Sequence, residues 1–184
     1  LIDDGSLPGE WGSLHMDDEG IPTRRNVLIH RGVLRSYMID RLEGRRMGMA
    51  PTGSCRRQNY RFCPESRMTN TFIAPGESTR EQIISATEKG LYVGNINGGS
   101  VNPATGDFNF NVLDAWLIEN GRITRPVYGA TLIGNGAEVL KNVDMVGNNL
   151  LLGQGYCYNN SGALYINAGQ PTLRVKQILV GGLE

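Results

Sequence analysis

Short runs of alternating apolar and polar residues, punctuated by glycine, make up most of the chain. Val27-Leu28-Ile29-His30 and Val33-Leu34-Arg35-Ser36-Tyr37-Met38-Ile39 flank Arg31-Gly32, which predicts a hairpin. Ala115-Trp116-Leu117-Ile118-Glu119 and Arg122-Ile123-Thr124 flank Asn120-Gly121, a two-residue turn in which both positions tolerate positive φ. A third hairpin is expected at Pro103-Ala104-Thr105-Gly106, with Asp107-Phe108-Asn109-Phe110 returning in alternation. The first two share Leu-Ile-x-x-Gly, but two copies without a fixed period make a recurring motif and not a repeat array.

Helical periodicity is confined to two places. Ser78 and Glu81 form a capping-box pattern, Ile83, Ile84 and Thr87 follow on one side, and Gly90 is a natural stop. A shorter helix is expected over Ala137 to Val143, with Val139, Leu140 and Val143 inward. The stretch from Arg45 to Ser66, rich in Arg, Gly and Pro, reads as a long irregular loop, and ordered loops of this kind often carry function. Leu173 to Val180 is strand-like and ends at Gly181-Gly182. The predicted fold is mainly β (α+β): antiparallel strands forming a barrel or two packed sheets, with one or two peripheral helices, as one domain over residues 1–184.

Composition narrows the function classes. The 184 residues carry 18 Lys+Arg and 18 Asp+Glu, a formal net charge of zero. Non-specific nucleic-acid binding needs concentrated cations, and the pairs Arg45-Arg46 and Arg56-Arg57 are balanced by acidic residues elsewhere. No run approaches the roughly 20 apolar residues of a membrane helix. The odd cysteine count, Cys55, Cys63 and Cys157, favours a reducing cytoplasm over a disulfide-stapled secreted module. Asn159-Asn160-Ser161 matches a glycosylation acceptor, which is a chance match in a cytoplasmic protein.

Candidate chemistry is sparse. Cys157, in Gly153-Gln154-Gly155-Tyr156-Cys157, fits either a small buried apolar position or a thiolate ligand for zinc. Cys55 and Cys63, eight positions apart, lack the close pairs of a zinc knuckle and read as ordinary thiols. His30 precedes a hairpin turn and His15 adjoins only Met16-Asp17-Asp18-Glu19; solvated side chains and a solvated acidic turn are expected, since the spaced oxygens of a calcium loop are missing. Gly94-Asn95-Ile96-Asn97-Gly98-Gly99-Ser100 lacks the Lys-Ser/Thr of a P-loop and reads as backbone packing. In the Arg45–Asn70 stretch, Pro51, Thr52, Gly53 and Asn70 supply backbone and amide groups suited to an extended peptide. Met47, Met49 and Met68 equally suit core filling, and pattern does not choose between them. Two poorly placed histidines give no Ser-His-Asp or Cys-His arrangement.

One order of residues has no explanation in propensity. Arg45-Arg46-Met47-Gly48-Met49-Ala50-Pro51-Thr52-Gly53-Ser54, then Arg67-Met68-Thr69-Asn70-Thr71-Phe72 and Pro75-Gly76, closely resemble the TldD branch of the TldD/PmbA family, once called modulators of DNA gyrase and regarded as zinc peptidases. Asp3-Asp4-Gly5-Ser6-Leu7-Pro8-Gly9, Asp17-Asp18-Glu19-Gly20, Asn102-Pro103-Ala104-Thr105-Gly106-Asp107-Phe108, Leu117-Ile118-Glu119-Asn120-Gly121 and Ala168-Gly169-Gln170-Pro171-Thr172-Leu173 extend the resemblance over nearly the whole chain. It implies a β-rich C-terminal domain of a cytoplasmic zinc peptidase acting on small or unfolded peptides. It also implies a metal site in which Cys157 joins the histidines of an upstream HExxxH segment, whose Glu deprotonates the attacking water. Neither His15 nor His30 lies in such a segment, and the chain opens on Leu1, so the expectation is a C-terminal piece contributing one ligand. Alone it would be catalytically inactive. An extended peptide substrate pairing with a sheet edge and a dimer with a TldD- or PmbA-like subunit are further implications. A non-catalytic PmbA-like subunit or peptide-binding scaffold is the rival reading. The family's run after the cysteine carries Gly and Lys, where this chain has Tyr158-Asn159-Asn160.

Overall fold

A computed structural model describes residues 1–182. In chain order the elements are β1 (Ile2–Asp4), β2 (Arg25–Val27), β3 (Ile29–His30), β4 (Val33–Leu34), α1 (Arg41–Met47), β5 (Cys55–Arg56), β6 (Glu65–Ser66), β7 (Asn70–Phe72), α2 (Arg80–Ser85) and β8 (Lys89–Val101). There follow β9 (Asp107–Glu119), β10 (Arg122–Val127), β11 (Thr131–Asn135), α3 (Gly136–Asn142), β12 (Val143–Val146), β13 (Leu151–Asn159), β14 (Gly162–Gln170), β15 (Leu173–Val175) and β16 (Leu179–Gly181). The chain divides into two compact units, one from Leu1–Ala74 with Leu150–Pro171, the other from Pro75–Asn149 with the residues from Thr172 onward.

The first unit is a five-stranded sheet in the order β13-β14-β7-β1-β2. Its pairings are antiparallel except β14 against β7, which is parallel. The middle of the sheet is short and polar. All three residues of β1 are buried, and Asp3 is fully so. Its carboxylate accepts from Thr69 N at 2.8 Å, Thr69 Oγ1 at 2.8 Å and Thr71 Oγ1 at 2.7 Å, which satisfies a charge that burial would otherwise penalise. The Thr-Asn-Thr run is thus the complement of Asp3. Ile2, Ile39, Phe72, Leu164 and Ile166 supply the apolar burial.

The second unit is built on the long β8–β9 hairpin. The other edge of β9 is shared: β10 takes its Ala115–Glu119 end, β11 its Asp107–Asn111 end, and β16 adds beside β11. The glycine-rich run expected to pack as backbone is part of β8, where repeated register shifts between Val93 and Gly99 mark bulges. β12 and β15 form a separate pair, tied by Arg174 to Asp144 at 2.6 Å.

The mainly β fold is as expected, but several details differ. The sheets are open, with no closed barrel among the described residues. Helices among the described residues number three, because α1 runs into the stretch predicted as irregular, and that stretch also holds the β5–β6 hairpin. The capping box of α2 is Thr79 with Gln82, one residue later than predicted: Gln82 N donates to Thr79 Oγ1 at 3.2 Å and Thr79 N to Gln82 Oε1 at 2.8 Å. Ser78 is unavailable because its backbone bridges to Gly147. The helix stops at Ser85, since Lys89-Gly90 already belong to β8. The strand predicted over Leu173 to Val180 is two strands, interrupted at Lys176-Gln177-Ile178.

The two-residue turns behave as their sequences require. Arg31 and Gly32 have φ of 49° and 77°, Asn120 and Gly121 of 50° and 73°. A Cβ on Gly121 would lie 2.6 Å from the Ser85 carbonyl oxygen, whereas one on Gly32 would meet nothing. Gly121→Ala is therefore expected to cost about 2 kcal/mol or more, and Gly32→Ala about 1 kcal/mol, in denaturant unfolding; equal losses would contradict the close approach.

Asp40 caps α1, accepting from Glu43 N at 2.8 Å, and reaches Ser66 N at 3.1 Å and Ser66 Oγ at 2.8 Å. Burial pushes its carboxyl up, but the bonds from Glu43, Ser66 and Leu42 outweigh it and hold the group below the ordinary value. A depressed native pKa means stability present above the unfolded value of about 3.9 and lost as pH falls through the native one. The stability advantage of wild type over Asp40→Asn is expected to be widest near neutral pH and to close below about pH 4; a gap independent of pH would contradict the assignment.

Candidate functional site

β13 is an edge strand, paired on one side by β14 in an unbroken ladder from Leu151↔Gln170 to Asn159↔Gly162. Cys157 lies near its end, opposite Leu164, and is half-buried. Successive strand residues face opposite ways, so Cys157 shares its face with Gly153 and Gly155, and the rings of Tyr156 and Tyr158 take the other. A Cβ on Gly155 would meet no atom within 4 Å. The tyrosine face carries a string of aromatic contacts: Trp11 edge-on to Tyr165 at 4.6 Å, Tyr165 to Tyr156 at 4.9 Å, Tyr156 to Tyr158 at 6.2 Å. A cleft of about 510 Å³ opens beside this hairpin, lined by Leu14, Asp18, Arg56, Gln58, Tyr156 and Tyr165 among others; Cys157 is not on its wall.

Two buried guanidinium groups reach the hairpin. Arg67 donates to the carbonyl of Cys157, to Ser161 Oγ and to the carbonyl of Gly162 at 3.0 Å. Arg56 donates to the carbonyls of Met68 and, at 2.9 Å, Tyr165. Among the described residues neither is ion-paired with a carboxylate. Burial, reinforced by the repulsion of Arg67, holds the Arg56 guanidinium below its ordinary value, against weaker support from Asp3, Asp18 and Cys157.

A zinc site can be tested against these donors. A thiol suits zinc, but among the described residues no three His, Cys, Asp or Glu side chains converge. The described residues alone therefore do not make a zinc site, and in one Cys157 would be a single donor of a set completed by other residues. His15 and His30 are exposed, as expected. The acidic turn is different from the solvated one predicted. Asp17 is buried and accepts from Glu19 N, Ile21 N and Cys55 N at 2.9–3.0 Å, while Asp18 receives Arg57 N at 2.8 Å and Glu19 receives Arg41 N at 2.8 Å. Burial pushes the Cys55 thiol far up, so Cys55 is an inert structural thiol, and Cys63 is exposed.

The four residues considered for peptide contact are engaged within the chain. Thr52 is buried; its hydroxyl receives Ile39 N at 2.7 Å and lies 3.0 Å from Ser54 Oγ. The Pro51 carbonyl takes Arg24 Nη2 at 2.6 Å. Gly53 adopts φ 74°, with the Pro22 carbonyl where a Cβ would go. Asn70 is fully buried: Nδ2 donates to the Asp4 carbonyl at 2.6 Å and Ser13 Oγ at 2.8 Å, and Oδ1 accepts from Gly12 N at 3.1 Å. The sequence assigns no site role to Arg56, Arg67 or Ser161. Their partners are backbone groups distant in sequence, for which no local pattern exists.

Comparison with known proteins places these features in a family. The sequence profile of the PmbA/TldA metallopeptidase C-terminal domain matches residues 1–182. The Metalloprotease TldD homolog of Haemophilus influenzae is 42% identical over 184 residues, covering 99% of this chain and 38% of that protein. The Zinc metalloprotease TldD homolog of Saccharolobus solfataricus is 30% identical over 169 residues, 92% of this chain and 38% of that protein. TldE from Thermococcus kodakarensis is similar in structure, with a TM-score of 0.81 and 25% identity over 98% of this chain and 39% of that one. The chain thus spans about two-fifths of the length of the relatives it matches.

Because each amide group of Asn70 is bound within the chain, Asn70→Ala is expected to act on folding. Leaving the Asp4 carbonyl and Gly12 N–H unpaired costs about 2–4 kcal/mol in unfolding free energy. A variant of unchanged stability and weakened peptide binding would reverse that assignment.

Proposed function

The chain belongs to the PmbA/TldD metallopeptidase family, and on that premise we propose that it is the C-terminal part of a zinc peptidase that degrades or processes small or unfolded peptides. Cys157 is the zinc ligand this part contributes, and the remaining donors belong to residues outside this chain. The carrying observation is the position of Cys157: on an edge strand and only half-buried, although its face also carries the buried Leu164 and Ile166 of β14 beside Gly153 and Gly155. A thiol sealed among aliphatic side chains would have argued for simple packing. When bound, zinc supplies the Lewis-acid chemistry of peptide hydrolysis.

The rest of the reading follows from the same strand. The free edge of β13 offers backbone N–H and C=O groups to an extended peptide, giving affinity with little sequence preference. Three unpaired cysteines, Cys55, Cys63 and Cys157, are consistent with a cytoplasmic protein. The resemblance to both a TldD homolog and TldE supports assembly with a subunit of the same family. A non-catalytic, PmbA-like subunit is the second reading, favoured by Tyr158-Asn159-Asn160 after the cysteine. The 42% identity to a TldD homolog outweighs it.

The test uses the full-length protein containing this chain. Cys157→Ala is expected to reduce zinc affinity by at least about tenfold and to slow hydrolysis of an unstructured peptide in parallel. Equal zinc content and equal turnover in both proteins would end the ligand assignment. A peptide N-methylated on its backbone amides is expected to bind worse, and undiminished binding would count against the sheet-edge mode.

A further inference from the structure

The unexplained feature of the first unit is Arg67. It is 2% exposed, lies between β6 and β7, and is anchored by its own N–H to the Ser54 carbonyl at 2.8 Å. Among the described residues its side chain meets no carboxylate; it fans instead onto the Cys157 carbonyl on β13, Ser161 Oγ in the turn, and the Gly162 carbonyl on β14. Nε has no partner among the described residues. Burying a guanidinium against neutral acceptors is an expensive way to hold a hairpin, because apolar side chains of similar volume do so at lower cost. What an apolar side chain does not provide is direction: a rigid planar fork fixes several acceptors at once. The surroundings are equally determined. Ser161 is fully buried and its carbonyl accepts Gln58 N at 2.9 Å, while Gln58 Oε1 accepts Ala163 N at 2.9 Å. The turn side of the hairpin is therefore gripped from two directions. Cys157 is two residues from the strand's end and pairs on one side only, where strands fray most readily.

We propose that Arg67 is a positioning residue for Cys157: its guanidinium fixes the backbone of the proposed zinc ligand relative to the β13–β14 turn. The proposal rests on the assignment of Cys157 as a ligand. It differs from a simple stabilising role, because Arg67 grips the ligand residue itself. Groups that orient metal ligands change metal affinity by about 10–100-fold when removed.

The experiment uses the full-length protein with three variants: Cys157→Ala, Arg67→Lys and Ser161→Ala. Lysine keeps the charge but places one ammonium where three acceptors are spread. Zinc affinity is measured by chelator competition, the thiolate-to-metal charge-transfer absorption is recorded after cobalt substitution, and melting is followed in the metal-free protein. For Arg67→Lys the expected result is a zinc affinity about tenfold or more weaker, with an altered charge-transfer band and a cooperative metal-free melt. Wild-type affinity and spectrum in Arg67→Lys, with metal lost in Cys157→Ala, overturn the positioning role and leave the ligand assignment standing. Zinc retained in Cys157→Ala overturns both. Should Arg67→Lys not fold, Ser161→Ala decides: it frees one arm of the same guanidinium, and an unaltered affinity and spectrum there overturn the proposal.

Discussion

The latch between Asp3-Asp4 and Thr69-Asn70-Thr71 is the constraint on which the first unit depends. A carboxylate with no exposure sits in the middle of its sheet, and three donors from one short run satisfy it. The intervening Asn70 completes the join through Asp4, Gly12 and Ser13. Neither half of this arrangement is stable without the other, since each would leave buried polar groups unpaired. The strand so fixed, β7, is the parallel neighbour of β14, and β14 carries the edge strand with Cys157. A polar core therefore sets the position of the Cys157 thiol in a sheet that has few large apolar side chains to do so.

Polar registration differs from apolar packing in what it tolerates. Apolar cores accept many combinations of similar volume, whereas a satisfied buried network admits one geometry. The specificity extends outward from β1: Asp17 holds the backbone of Cys55, Asp40 holds that of Ser66, and Arg67 between β6 and β7 holds that of Cys157. Each side chain fixes a backbone group of the next segment. For a unit proposed to contribute one donor to a larger centre, such fixing matters more than net stability, because a ligand displaced by an ångström is not a ligand.

What could be read in advance follows the range of each interaction. The turns at Arg31-Gly32 and Asn120-Gly121 were legible because two residues determine them. The frame of α2 was missed by one residue, since Ser78 and Thr79 are both competent caps and the choice was made by a bridge to distant Gly147. Charge is normally solvated, which is the sequence expectation for the acidic turn at Asp17; its acceptors in fact close the turn and reach Cys55, 38 positions away. Thr52 and Asn70 stood out as unusual residues, yet the pattern did not distinguish a peptide contact from a structural one. Asn70 finds its partners 57 to 66 positions upstream. Arg67 stands in the sequence only as the first residue of a motif, and nothing local shows its role, its acceptors being backbone or hydroxyl oxygens 90 to 95 positions downstream.

Arg56 and Arg67 depart furthest from what folding alone requires. Two guanidinium groups, 5% and 2% exposed, repel each other and meet only neutral acceptors among the described residues. A sequence selected only to fold would replace at least one by an apolar side chain. Departures from local rules concentrate where function imposes a second requirement. Here both departures converge on the same hairpin, at the carbonyls of Cys157, Gly162 and Tyr165. The energetic anomaly and the candidate ligand thus fall on one strand pair, and that coincidence is independent of which residues complete the site.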